Sequence, residues 1–131
     1  MLQLEGYQTL KVEQKGKVGV IRLNRPDKRN AFTPEMYREM GAVLDCMDCE
    51  PEIKAVMITG EGKAFCAGGD VKGMGGPERG APELSFDDKV ARLQERQRTL
   101  TGALVNVRKP TIAALPGPAA GAGLALALAC D

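Results

Sequence analysis

The sequence predicts an α/β fold, and three patterns carry that prediction. Two short alternating segments near the N-terminus are separated by Gly16-Lys17, as in a β-hairpin. Apolar residues then recur at helical spacing from Met36 to Met47. Finally, two strand-like apolar runs are each followed by a glycine-rich loop and a further helical segment. Strand-to-helix units recur, without the tight fixed period of a solenoid.

Each element has its own justification. Tyr7 to Glu13 and Val18 to Leu23 alternate as strands do, and the polar, Pro-broken stretch from Asn24 to Asn30 reads as a loop. Thr33-Pro34-Glu35 opens a helix: a capping hydroxyl, a proline at the first position and an acid at the positive end. Met36, Met40, Val43, Leu44 and Met47 form its apolar stripe, and Pro51 ends it. Ile53 to Thr59 suits a strand stopped by Gly60, and Gly73 to Pro82 reads as a mobile surface loop. Ser85, with Asp87 and Asp88 behind it, caps a second helix with the stripe Val90, Leu93, Leu100, Leu104, Val107. After Lys109-Pro110, Thr111 to Leu115 suits a strand, and Leu124 to Ala129 suits a buried helix.

Composition narrows the chemistry. The chain has 131 residues, room for one domain at most. With 18 Lys and Arg against 17 Asp and Glu, nothing pulls it toward nucleic acid or an acidic membrane. Aromatic residues are 4% with no Trp, too few for a base-stacking platform. No histidine is present, which excludes Ser-His-Asp and Cys-His nucleophile systems and His-containing zinc sites. The start of the chain lacks a basic region followed by an apolar run, so a cytoplasmic location with reduced cysteines is expected. Residues 111–130 carry no charge, but Pro116, Pro118 and three glycines favour strand, tight turn and helix over a membrane span. Arg92, Arg96 and Arg98 read as a solvated helix face.

The chemistry falls on the two glycine loops, Gly60 to Asp70 and Gly117 to Gly123. Without side chains, a ligand can approach the backbone closely, and N–H groups can donate to an anionic oxygen. Two such loops converging would make an oxyanion hole; the plainer alternative is turns and tight packing alone. Neither loop fits a phosphate cradle. Gly62-Lys63-Ala64 lacks the P-loop hydroxyl, and Gly121-Ala122-Gly123-Leu124-Ala125-Leu126 lacks the last glycine of the dinucleotide pattern.

Three stretches resemble a known family. Leu23-Asn24-Arg25-Pro26 with Asn30-Ala31-Phe32, then Phe65-Cys66-Ala67-Gly68-Gly69-Asp70-Val71-Lys72, then Lys109 to Gly117 are similar to successive signatures of the enoyl-CoA hydratase/isomerase (crotonase) family. They stand in the family's order and span nearly the whole chain. The resemblance implies a crotonase-like ββα spiral fold over residues 1–131. It implies assembly as homotrimers or dimers of trimers, and acyl-CoA thioesters as substrates, with no separate cofactor and no metal.

It also implies site residues. The oxyanion-hole donors fall on the N–H groups of Gly69 and Ala122. The CoA and substrate contacts fall on Arg25, Lys28, Ala31, Ala67, Gly68, Asp70, Val71 and Gly121. Family hydratases place a glutamate where this chain has Ala125, and a second acid further on than Asp131. Addition of water needs a general base and a general acid, whereas shifting a double bond needs one base moving one proton. An isomerase is therefore expected over a hydratase, with a non-catalytic acyl-CoA-binding or assembly subunit as the alternative. A mononucleotide-binding domain has weaker support. The chain stops directly after an apolar helix, so the domain is expected to continue past Asp131.

Cys46-Met47-Asp48-Cys49 has metal or redox spacing, yet no second pair accompanies it, and a structural or incidental role is expected. Cys66, in the candidate site loop, is read as a small apolar filler over a reactive thiol.

Overall fold

The computed structural model describes residues 2–69 and 84–131. Four strands form one sheet in the order β1-β2-β3-β4: β1 (Leu10–Lys15), β2 (Val18–Leu23), β3 (Ala55–Gly60) and β4 (Thr111–Ala113). β1 and β2 form the expected hairpin, with Lys15 opposite Val18 across Gly16-Lys17. β3 then runs parallel to β2, and β4 parallel to β3. A parallel neighbour requires a crossover, and the first is α1 (Pro34–Cys49). Asp70, Val71 and the glycine-rich stretch Gly73 to Pro82 lie outside the described residues.

Register puts one face of the sheet into the core. Leu10 and Val12 pair with Leu23 and Ile21, and Ile21 pairs with Ile58. All five are buried, as is Val56. Against this face lies α1, whose Met36, Met40, Val43, Leu44 and Met47 are all buried as the stripe predicts. Each such side chain contributes about 1.5–3 kcal/mol of burial. Thr33 caps α1 by accepting from Met36 N at 3.2 Å. The other face of the sheet is polar at its hairpin end, where Arg22 lies 3.8 Å from Glu13 and 3.6 Å from Glu61.

The second crossover is more irregular. α2 (Phe86–Gln97) is capped by Ser85, which accepts from Asp88 N at 3.1 Å. The helix continues through a π-helical stretch, Arg98–Gly102, into α3 (Ala103–Val105). Thr99 Oγ1 donates to the Glu95 carbonyl at 2.9 Å within this stretch, a side-chain bond that competes with regular helical pairing. The predicted stripe is only half correct. Leu100 and Leu104 are buried and Val107 packs half-buried against the core, but Val90 and Leu93 are exposed, because no described element packs on α2 there. The arginines 92, 96 and 98 are exposed as expected.

The last helix, α4 (Ala122–Ala129), departs from the buried helix that its apolar sequence suggests. Leu126 is fully buried, whereas Leu124 and Leu128 are exposed, so only one face packs. Among the described residues no helix is long and apolar enough to cross a membrane.

Candidate functional site

Beside the sheet, three segments run together: the corner 25–32, the loop 65–69 and the turn 118–123. Phe32 pairs in parallel with Gly69, and Cys66 with Ala119. Phe32 N donates to Gly68 O at 2.7 Å, Ala67 N to Arg29 O at 2.9 Å, and Ala120 N to Cys66 O at 3.0 Å. The middle segment is therefore held from both sides by backbone hydrogen bonds.

This lattice brings the two glycine loops into contact. Gly68 has φ +103°, and a methyl group there would lie 3.1 Å from Ala120 O and 3.6 Å from Ala122 N. Gly121 has φ 53° and ψ −126°, a conformation open only to glycine, and its turn starts α4 at Ala122. A methyl on Gly123 would lie 2.4 Å from Cys66 O, so the start of α4 is seated directly on the middle segment. The segment 68–69 and the Ala122 amide are thus neighbours. Among the described residues neither the Gly69 N–H nor the Ala122 N–H donates to a protein acceptor. The Ala122 amide is one of the orphan donors of a helix N-terminus, at the positive end of the α4 dipole.

The other expected contacts divide. Ala31 and Gly68 are buried, Gly69 and Ala122 are half-buried, and Ala67 and Gly121 are exposed. Arg25 turns inward on its own corner: Nη1 donates to Ala31 O at 2.5 Å. Lys28 is exposed, and among the described residues its ammonium has no ion-pair partner. Asp70 and Val71 lie outside the described residues. Among the described residues no group of three metal-ligating side chains occurs.

Two residues do more than their sequence suggests. Asn30 is fully buried with φ 57°. Its Oδ1 accepts from Arg25 N at 2.8 Å, and its Nδ2 donates to Glu61 O and Ala64 O, both at 3.0 Å. Cys66 is a filler, as read, but also a junction. Its thiol donates to Asn30 O at 3.0 Å, and its sulfur accepts from Gly68 N at 3.4 Å. Burial pushes the thiol's pKa up, with the Gly68 N–H opposing, so it stays protonated. The only signal for Asn30 was a polar residue before Ala31-Phe32; nothing announced the Cys66 bonds.

Known proteins share this arrangement of chain. "Probable enoyl-CoA hydratase echA8" of Mycobacterium bovis is 41% identical over 125 residues, covering 95% of this chain and 45% of that protein. "Probable enoyl-CoA hydratase" of Rhizobium meliloti is 39% identical over 128 residues, again covering 95% and 45%. An enoyl-CoA hydratase/isomerase structure from Marinobacter aquaeolei superposes with a TM-score of 0.82 at 32% identity, over 94% of this chain and 47% of that one. The Bacillus anthracis enoyl-CoA hydratase gives 0.81 at 30% identity, over 95% and 46%. The chain thus spans about half the length of the relatives it matches. Its crotonase fold agrees with a sequence match to the enoyl-CoA hydratase/isomerase family over residues 13–131, and the chain belongs to that family.

Proposed function

We propose that this chain supplies the oxyanion hole of an enzyme acting on acyl-CoA thioesters, with Gly69 and Ala122 N–H as the paired donors. The carrying observation is the seating of Gly68 against the Ala122 amide, with both amides lacking a protein acceptor among the described residues. Removing an α-proton from a thioester builds negative charge on its carbonyl oxygen. Donors fixed at that oxygen lower the barrier, by about 3–4 kcal/mol for one donor in a protease. The corner 25–31 and the segment 67–71 hold the CoA portion, with Arg25, Lys28, Ala31, Ala67, Gly68, Asp70, Val71 and Gly121 as contacts. No separate cofactor is required. Assembly into trimers belongs to the same proposal, and exposed Phe86, Leu93 and Leu128 offer apolar surface for it.

Within the family, double-bond isomerisation is the reaction favoured here. Ala125 offers only a methyl, and its N–H is spent on Gly121 O at 3.1 Å. The one carboxylate in 122–131, Asp131, accepts from Thr111 N at 2.9 Å and is structural. A single-base proton shift asks less of this segment than hydration does. The test is exchange of acyl-CoA α-protons into deuterated water, followed by NMR. Gly69→Pro, which deletes one N–H, is expected to slow exchange about a hundredfold or more while CoA still binds by calorimetry. Exchange at the wild-type rate in that variant contradicts the proposal. Ala125 also favours a second reading, a non-catalytic acyl-CoA binder, and binding by wild type with no exchange at all selects it.

A further inference from the structure

The four cysteines divide sharply by position. Cys66 is buried and hydrogen-bonded, and Cys130 is half-buried with its thiol donating to Leu126 O at 3.7 Å. Cys46 and Cys49 are both exposed, and they stand one turn apart at the end of α1. In helix geometry, residues three apart lie about 5 Å from each other between Cα atoms, within the span of a disulfide. Closing that bridge requires the Cβ atoms to approach more nearly than a regular helix allows. Here the distortion has somewhere to go. Cys49 is the last helical residue, Glu50 is extended at φ −75° and ψ 115°, and one backbone hydrogen bond, Glu50 N to Cys46 O at 3.0 Å, closes the turn, with Lys109 Nζ on the carbonyls of Met47 and Glu50 beside it.

A second observation supplies the reaction partner. Cys49 lines a surface cleft of about 420 Å³ that also holds Lys54, Arg108, Lys109, Asp48 and Glu50. Asp48 is taken up by Arg108, whose Nε lies 3.0 Å from Oδ2. Lys109 Nζ donates to the carbonyl oxygens of Met47 and Glu50, and its charge also acts on the Asp48 and Glu50 carboxylates. Lys54 is exposed and has no ion-pair partner among the described residues. The cleft therefore sets three cations, Lys54, Arg108 and Lys109, against two carboxylates, Asp48 and Glu50, beside one of the accessible thiols, and this surplus of positive charge suits a small disulfide bearing carboxylates.

We propose that Cys46 and Cys49 form a dithiol that exchanges with a small anionic disulfide of the glutathione type, independently of acyl-CoA chemistry. The Cys49 thiolate attacks one sulfur, forming a mixed disulfide and releasing one small thiolate. The Cys46 thiolate then attacks the Cys49 sulfur, closing the intrahelical bridge and releasing the second thiolate. The protein loses two electrons and two protons, and the small disulfide is reduced to two thiols.

Intact-mass spectrometry of the native protein with glutathione disulfide tests this. Wild type is expected to lose about 2 Da, with the bridge mapped to Cys46 and Cys49 and reversed by dithiothreitol. Cys46→Ser is expected to accumulate a stable single adduct on Cys49, and Cys49→Ser to react about tenfold more slowly. Cystamine, a cationic disulfide, is expected to react more slowly than glutathione disulfide with wild type. Stable adducts on both thiols, a bridge to any other cysteine or to a second chain, a Cys49→Ser variant as fast as wild type, or cystamine as the faster reagent overturns the proposal. Both substitutions are at exposed positions, and circular dichroism checks that each variant is folded.

Discussion

Asn30 shows how one side chain can fix a site that it does not enter. It sits in left-handed backbone, costly for a residue other than glycine, and its amide bonds two loop carbonyls and one loop N–H. Its own carbonyl receives the Cys66 thiol, which in turn receives the Gly68 N–H. Removing the amide leaves buried groups unpaired, at about 1–3 kcal/mol each. Asn30→Ala is therefore expected to lower stability by about 2–3 kcal/mol or more in urea unfolding. Asn30→Asp keeps the acceptor toward Arg25 and is expected to fall between the two. A loss below about 0.5 kcal/mol for Asn30→Ala contradicts this role. At this scale the sequence is only partly legible. The glycines marked where backbone approaches backbone, but whether a polar side chain is buried depends on what the fold places around it.

Among the elements, α1 was the most legible, since its cap, first-position proline and five buried apolar positions are all local signals. β1 was less so. Its expected start at Tyr7 moves to Leu10 because Glu39 of α1 takes the N–H groups of Gln8 and Thr9, at 2.9 and 3.2 Å. No local pattern encodes that contact. The stripe of α2 told which face is apolar but not whether anything covers it. The joint between α1 and β4 also carries a pH signature. The backbone N–H of Arg108 at 2.9 Å, with its guanidinium, holds the Asp48 carboxyl below its ordinary pKa. A depressed carboxyl stabilises the fold above its unfolded-state pKa and loses that contribution as pH falls through the folded value. The window is therefore below about pH 4. Thermal unfolding is expected to show Asp48→Asn slightly less stable than wild type at pH 7, by at most about 1 kcal/mol. That difference is expected to vanish toward pH 2; a pH-independent difference removes the charge explanation.

For the molecule as a whole, the sheet and α1 form a frame on which three loop segments converge. The order of elements was readable from the sequence, because strand-to-helix alternation leaves direct marks, whereas the glycines alone left open whether the two loops meet or merely turn and pack. The covering of α4 was not, since an apolar helix reads as buried whether or not its outer face has a neighbour. The central claim is that the Gly69 and Ala122 amides receive one thioester oxygen together. Its most direct measurement is an amide NMR titration of the ¹⁵N-labelled protein with a non-reactive acyl-CoA thioether and with the matching thioester. The thioester is expected to move the Gly69 and Ala122 amide protons downfield together, with the thioether, which lacks the carbonyl oxygen, leaving both nearly in place. Saturable thioester binding that shifts neither amide, or only one of the two, contradicts the account.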